Sequence, residues 1–273
     1  MINSQLIKDD TQPIIIGFAG RAGSGKTSVA EHIVPKGSIN VLKHDVKWDH
    51  LFFALPLYEL ASARRNIMGI NQQSRTMYAI HDVLYDLFGG SPIANVPDYE
   101  SLVEMVKFID SMPIEREGVK PRTFLQVAGD VCRAFDSDCF TNWAIRKSKL
   151  IYRSYIKDFN ENNNSDFDNE PNPMAIIISD VRFLNEAEAI LSEPNGVLIT
   201  FDASDETLNE RIMKRDGKPM SQEQLSHKSE SFIDQIKNIS TYVINSDNMT
   251  IEQQANATLS VLGLINEKKE QHA

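Results

Sequence analysis

The chain has 273 residues, 41% hydrophobic and 24% charged, enough for a sizeable α/β core. A formal charge of −10 argues against a broad nucleic-acid-binding surface but leaves room for a local positive pocket that takes a nucleotide. No apolar run is long enough to span a bilayer, the lead-in Met1–Gln12 has no signal-peptide core, and the two cysteines, Cys132 and Cys139, lack metal spacing; buried thiols in a reducing, cytoplasmic setting are expected.

The first predicted element is an apolar strand, Ile14–Phe18. It runs into the pattern G-x-x-x-x-G-K-T over Gly20, Arg21, Ala22, Gly23, Ser24, Gly25, Lys26 and Thr27, with Ser28 following in a helix that extends to Ile33. The glycines let the backbone adopt positive φ and come close to anionic oxygens. Successive N–H groups then form an anion nest, reinforced by the helix N-terminus. A P-loop holding a nucleoside triphosphate is the expected outcome, with Lys26 on the β- and γ-phosphates and the Thr27 hydroxyl on Mg²⁺. Arg21 is placed to touch the transferred group or to face solvent.

A second strand is predicted at Ile39–Leu42. The segment Trp48–Arg65 reads as helix interrupted near Pro56, and a helical insertion is expected over about residues 48 to 151. Within it, Val103, Val106 and Ile109 suit one amphipathic helix, and Phe124, Val127, Val131, Cys132 and Phe135 another. Asp158 to Pro173 is polar and turn-rich and reads as a surface loop. Ala175–Ser179 is a buried strand ending in Asp180, the Walker B form, which would put a carboxylate beside the P-loop to hold Mg²⁺. Arg182 then suits an acceptor phosphate held bidentately, or an ion pair with Glu186 or Glu188.

Helix Asn185–Leu191, strand Gly196–Phe201, helix Asp205–Arg215, strand Tyr242–Ile244 and helix Thr250–Ile265 complete the alternation. Strands alternating with helices predict a three-layer α/β/α fold with a parallel sheet. Arg211 and Arg215, spaced i, i+4, share a helix face. With the polar stretch Lys218–Ser231 they read as a lid over about residues 211 to 231, or as a solvated face paired with Glu206 and Glu210. The six histidines offer no triad; His32 is expected on a helix surface, and His227 as a lid residue or a substrate contact.

The blocks GFAGRAGSGKTSVAEHI, FFALPLYELA, RTFLQVAGDVCRAFDSDCFTNWA, IISDVRFLNEAEAI and HKSES, in this order, resemble the bacteriophage deoxynucleoside monophosphate kinases. The resemblance covers most of the chain, and the D-V-R-F-x-N-E and L-Q-x-x-G-D blocks are its most specific parts. It implies a single P-loop kinase domain over residues 1 to 273, with an adenylate-kinase-like core that moves the γ-phosphate of ATP onto a deoxynucleoside monophosphate with Mg²⁺. Asp180 and Arg182 are similar to the Asp and Arg of the D-G-x-P-R element of nucleoside monophosphate kinases. By the same resemblance Lys26, Arg182, Arg211 and Arg215 carry catalysis. Arg122, Gln126 and Arg133 line the acceptor region, and Asn185 and Glu186 complete the motif. The partner implied is the monophosphate substrate, with no nucleic acid or membrane; a homodimer is neither favoured nor forbidden by the charge.

Residues 158 to 173 are extra sequence relative to this pattern. The lid cations are equally similar to those of dephospho-coenzyme A kinase, whose expected D-x-D is missing from Lys43–Trp48. No guanine-reading N-K-x-D follows a strand, which weighs against a GTPase. A nucleotide-hydrolysing regulator and a pure binding module are the readings from other classes.

Overall fold

A computed structural model describes residues 8–35, 41–43, 45–65, 72–89, 98–115, 120–162, 170–217 and 232–264. Ile39 and Asn40 of the expected second strand, residues 163–169 of the polar segment, and residues 218–231 of the expected lid, with His227, lie outside them. In chain order the elements are β1 (Ile14–Ala19), α1 (Lys26–Ile33), β2 (Val41–Lys43), β3 (Val46–Leu51), α2 (Leu55–Arg65), α3 (Gln72–Phe88), α4 (Tyr99–Ser111), α5 (Arg122–Phe135), α6 (Cys139–Asn162), β4 (Met174–Val181), α7 (Leu184–Ser192), β5 (Gly196–Asp202), α8 (Asp205–Asp216), α9 (Ile233–Ile239), β6 (Tyr242–Asn245) and α10 (Ile251–Val261). The chain divides into two compact units, Met1–Leu51 with Ser148–Ala273, and Phe52–Lys147.

The first unit is built on a six-stranded sheet of order β2-β3-β4-β1-β5-β6. All its pairings are parallel except β2 with β3, which is antiparallel at the edge. Helices α1 and α10 pack together on one face, and α7 and α9 on the other. The chain leaves β1 through α1 toward β3 and later crosses from β4 through α7 to β5. These crossovers run in opposite directions, so the same hand puts their helices on opposite faces. β1 thus lies at the point where the connections diverge, and the crevice beyond its C-terminal end is where such sheets bind ligands. Both faces are covered, so β1 reads as an uninterrupted apolar run, and all six of its residues are buried. The core on the α1 and α10 side is formed by Ile14, Ile16, Phe18, Trp48, Ala175, Ile177, Ile199 and Phe201 among others. Phe18 meets Phe201 edge to face at 5.1 Å.

The second unit is helical. Its core takes Leu60, Ile80, Leu84, Ile109, Phe124, Ala128 and Trp143, all buried. The Trp143 indole N–H donates to Asp86 at 2.7 Å, so the largest core ring keeps its polar atom satisfied.

Several sequence expectations need correction. Trp48–Leu51 is strand, not helix: Val46, Trp48 and Leu51 are buried in a parallel strand whose polar members Lys47, Asp49 and His50 mask the apolar run. Pro56 does not interrupt a helix; it occupies the first turn of α2, where its missing N–H costs no hydrogen bond. Asp158–Asn162 continues α6, so the polar segment is shorter than expected. The buried face of α4 is Leu102, Met105, Val106 and Ile109. On α5 it is Phe124, Ala128, Gly129 and Cys132, and Val127 is exposed. The thiols of Cys132 and Cys139 are free and buried, and burial pushes Cys132 up to about 12 and Cys139 higher still.

Candidate active site

The loop that follows β1 carries three glycines at positive φ: Gly20 at 142°, Gly23 at 84° and Gly25 at 91°. Two of these positions show why no side chain is accepted. A Cβ on Gly20 would lie 2.5 Å from the Phe201 carbonyl oxygen, and one on Gly25 would lie 2.6 Å from Gln254 Oε1. Gly25 is the N-cap of α1 and has no side chain to cap the helix. The first-turn N–H groups of α1 therefore face the loop with the positive end of the helix dipole behind them. A helix start of this kind suits an anion. Lys26 is 8% exposed and its Nζ donates to the Arg21 carbonyl at 3.3 Å, inside the loop. Thr27 and Ser28 are exposed at the start of α1, while Ser24 is buried. Ala22 is half-buried in the loop. His32 is on the exposed side of α1.

Asp180 lies at an irregularity in β4, the strand beside β1. Gly17 pairs with Ile178, yet Ala19 pairs with Val181, so β4 carries one extra residue over Ser179–Asp180. Before the bulge, Ala175 and Ile177 face α1 and α10. After it, the Val181 side chain lies 3.1 Å from the Cβ position of Gly17, beside Ile190 of α7. Ser179, in phase with Ala175 and Ile177, falls on the α1 side, and Asp180 is the residue between it and Val181. A strict two-residue alternation from Ile178 would have turned Val181 toward α1 instead. Bulges re-aim side chains in this way.

The same bulge holds a pair that the sequence reading missed. Ser179 Oγ is fully buried and lies 2.7 Å from His50 Nε2. Burial lowers the His50 pKa to about 4, so the imidazole is neutral near pH 7. The available signal was the two-residue alternation Val46, Trp48, His50, which places the ring on the α1 side of β3.

Arg182 is exposed just past β4, and its guanidinium makes no ion pair with a described residue. Its backbone N–H, with that of Phe183, donates to Glu186 Oε2 at 2.8 and 3.1 Å. Glu186 is thus a buried cap on the first turn of α7 and meets Arg182 through the main chain. Asn185 is half-buried beside it.

Arg21 is tied to the start of α8 and to the chain just before it. Its Nη1 pairs with Asp205 at 2.6 Å and its Nη2 donates to the Ala203 carbonyl at 3.1 Å. Arg211, expected on a lid, is engaged behind the loop. Nη1 donates to Gly23 O at 3.4 Å and Ser246 Oγ at 3.2 Å, and Nη2 to Ser246 O at 2.6 Å and Met249 O at 3.3 Å. Arg215, one turn further along α8, is exposed.

Arg122, Gln126 and Arg133 belong to the second unit, all on α5. Arg122 and Gln126 are exposed one turn apart, and the Arg133 guanidinium lies 4.7 Å over the Phe140 ring. Among the described residues no three His, Cys, Asp or Glu side chains gather as a metal site. No described helix is long and apolar enough to cross a membrane. A cleft of about 550 Å³ lies elsewhere, beside the start of β1, lined by Thr11, Gln12, Lys149, Tyr152, Arg153 and Lys157 among others.

No family model matches the chain, and no curated protein matches it. Among solved structures, TT1252 from Thermus thermophilus is similar over 92% of this chain and 98% of its own, at 17% identity and a TM-score of 0.37. So loose a likeness assigns neither function nor site.

Proposed function

We propose that this chain is a P-loop phosphotransferase that moves the γ-phosphate of ATP onto a deoxynucleoside monophosphate. The observation that carries the reading is the loop Gly20–Lys26, with three glycines at positive φ between the C-terminal end of the central strand and the start of α1, and Asp180 near the end of the adjacent parallel strand β4. The strand order, with β1 flanked by β4 and β5, supports a P-loop NTPase core. The choice of a monophosphate acceptor rests on the resemblance of the D-V-R-F-x-N-E and L-Q-x-x-G-D blocks.

The roles follow from the chemistry of each group. The loop amides and Lys26 hold the β- and γ-phosphates. Thr27 and Asp180 would supply the sparse oxygen donors that suit Mg²⁺. When bound, that ion neutralises charge on the transferring group. Arg182, exposed beyond β4, is available to orient the acceptor phosphate bidentately. Arg215 is a further cation on α8, and Arg122, Gln126 and Arg133 are the acceptor-region candidates of the helical unit. The acceptor monophosphate is largely ionised at neutral pH, so the site needs no strong general base. Positioning and charge compensation supply the rate.

The test is ADP formation in a coupled assay with a panel of deoxynucleoside and ribonucleoside monophosphates and dephospho-coenzyme A. The expected result is acceptor-dependent turnover with one or more deoxynucleoside monophosphates, abolished in a folded Lys26→Ala variant. Turnover with dephospho-coenzyme A alone, or phosphate release independent of any acceptor, would replace the acceptor assignment. Undiminished activity in Lys26→Ala would remove the site itself.

A further inference from the structure

The glycine-rich loop is held from its outer side at successive peptides by elements far away in sequence. At Arg21, the guanidinium ties to Asp205 and to the Ala203 carbonyl. At Gly23, a Cβ would lie 3.0 Å from the Leu208 carbonyl and 3.2 Å from Ile212, so α8 packs directly on the loop backbone. At Gly25, the Gln254 side chain of α10 closes the third position. Between them, the Arg211 guanidinium reaches the Gly23 carbonyl on one side and Ser246 and Met249 on the other.

We propose that Arg211 and Ser246 form a positioning clamp that sets the orientation of the loop peptides, and that Arg211 acts through the loop and not on the reacting phosphates. The Gly23–Ser24 peptide is held at both ends, its carbonyl accepting from Arg211 and its N–H donating to the Arg21 carbonyl at 3.1 Å, so the guanidinium fixes the orientation of this peptide within the loop. Ser246 completes the clamp. It is fully buried, its hydroxyl donates to the Asp202 carbonyl at 3.0 Å and accepts from Arg211, and its N–H donates to the same Asp202 carbonyl at 2.7 Å. Asp202 ends β5, so the clamp ties the loop to two strand ends through one guanidinium. A planar five-donor fork suits this task, and a lysine ammonium cannot reproduce its spread. The kinetic part of this proposal rests on the nucleotide reading above; the structural part does not.

The experiment compares wild type, Arg211→Lys, Ser246→Ala and the double variant in three measurements. These are amide hydrogen exchange over residues 20–27, Mg·ADP affinity by calorimetry, and the split between KM for ATP and kcat. In Arg211→Lys, exchange of the loop amides is expected to accelerate while β4 and α1 beyond the first turn keep their protection. Nucleotide affinity should fall about 10- to 100-fold, the range of one charge-assisted hydrogen bond. The fall in kcat at saturating ATP should be far smaller. Ser246→Ala should move every readout in the same direction by less, and the double variant should be no worse than Arg211→Lys alone, because the two side chains share one interaction. Unchanged loop exchange in both single variants overturns the clamp. So does a large loss of kcat in Arg211→Lys with nucleotide affinity intact, which would return Arg211 to the transferring phosphates. If Arg211→Lys does not fold, the exchange pattern of Ser246→Ala decides. If wild type binds no nucleotide, the nucleotide reading fails and the exchange data still decide the clamp.

Discussion

At the scale of single residues, the loop depends on what is missing. Gly25 sits at φ 91° with Gln254 against its Cα, and Gly217 ends α8 at φ 71° with nothing within 4 Å of its Cβ position. An alanine at either site meets the left-handed backbone penalty of about 1–2 kcal/mol. Only at Gly25 does the new methyl also meet a buried side chain, 2.6 Å away. Gly25→Ala is therefore expected to lower the urea midpoint more than Gly217→Ala; equal shifts would mean that Gln254 yields freely. The glycine spacing was legible in the sequence because all of its chemistry lies in consecutive residues. The orientation of Arg211 was not. The i, i+4 spacing with Arg215 says that two cations share a helix face but not what that face meets, and its acceptors lie on Gly23, Ser246 and Met249.

At the scale of elements, β4 and α7 act together. The β4 bulge falls at Ser179–Asp180, and the chain then enters α7 through Arg182 and Phe183, whose N–H groups are both accepted by Glu186. Removing this buried carboxylate leaves two donors at a helix start without their partner. Glu186→Ala should cost about 2–3 kcal/mol in chemical denaturation, with Glu186→Gln costing less because its remaining carbonyl oxygen can still accept. Because Glu186 anchors the main chain of Arg182, the alanine variant should also raise KM for the acceptor while leaving nucleotide affinity near the wild-type value. An unchanged denaturation midpoint would show that water replaces the cap. A bulge has no sequence signature here, since it exists only as a mismatch between two paired strands. Strand β3 was hidden for a related reason: Lys47, Asp49 and His50 are tolerated in it through partners supplied by the fold, such as Ser179 for His50.

At the scale of the whole molecule, the pH dependence of stability reports on that buried polar corner. His50 has its pKa lowered from 6.5 to about 4 by burial. Above pH 6.5 the imidazole is neutral in both the folded and unfolded states, and its contribution is fully present. As pH falls from 6.5 toward 4, the unfolded chain takes up a proton that the folded chain refuses, so stability declines across this window and levels off below it. Asp49, its pKa raised by burial, acts with the opposite sign at the acid end, since the folded state there binds the extra proton. His50→Gln keeps a polar side chain facing Ser179 and removes the titration. Its urea midpoint should drop less between pH 7.5 and pH 5 than that of the wild type, and identical drops would show that the ring titrates normally.

By itself the sequence determined the glycine-rich loop, the alternation of strands and helices and the carboxylate near the end of β4, because each is written in neighbouring residues and governed by local backbone geometry. The tertiary structure alone decided the bulge at Ser179–Asp180, that Glu186 caps α7 through the main chain, and that Arg211 bonds the Gly23 carbonyl, Ser246 and Met249. Those outcomes depend on register between strands and on acceptors brought together from distant parts of the chain, and local spacing carries no information about either.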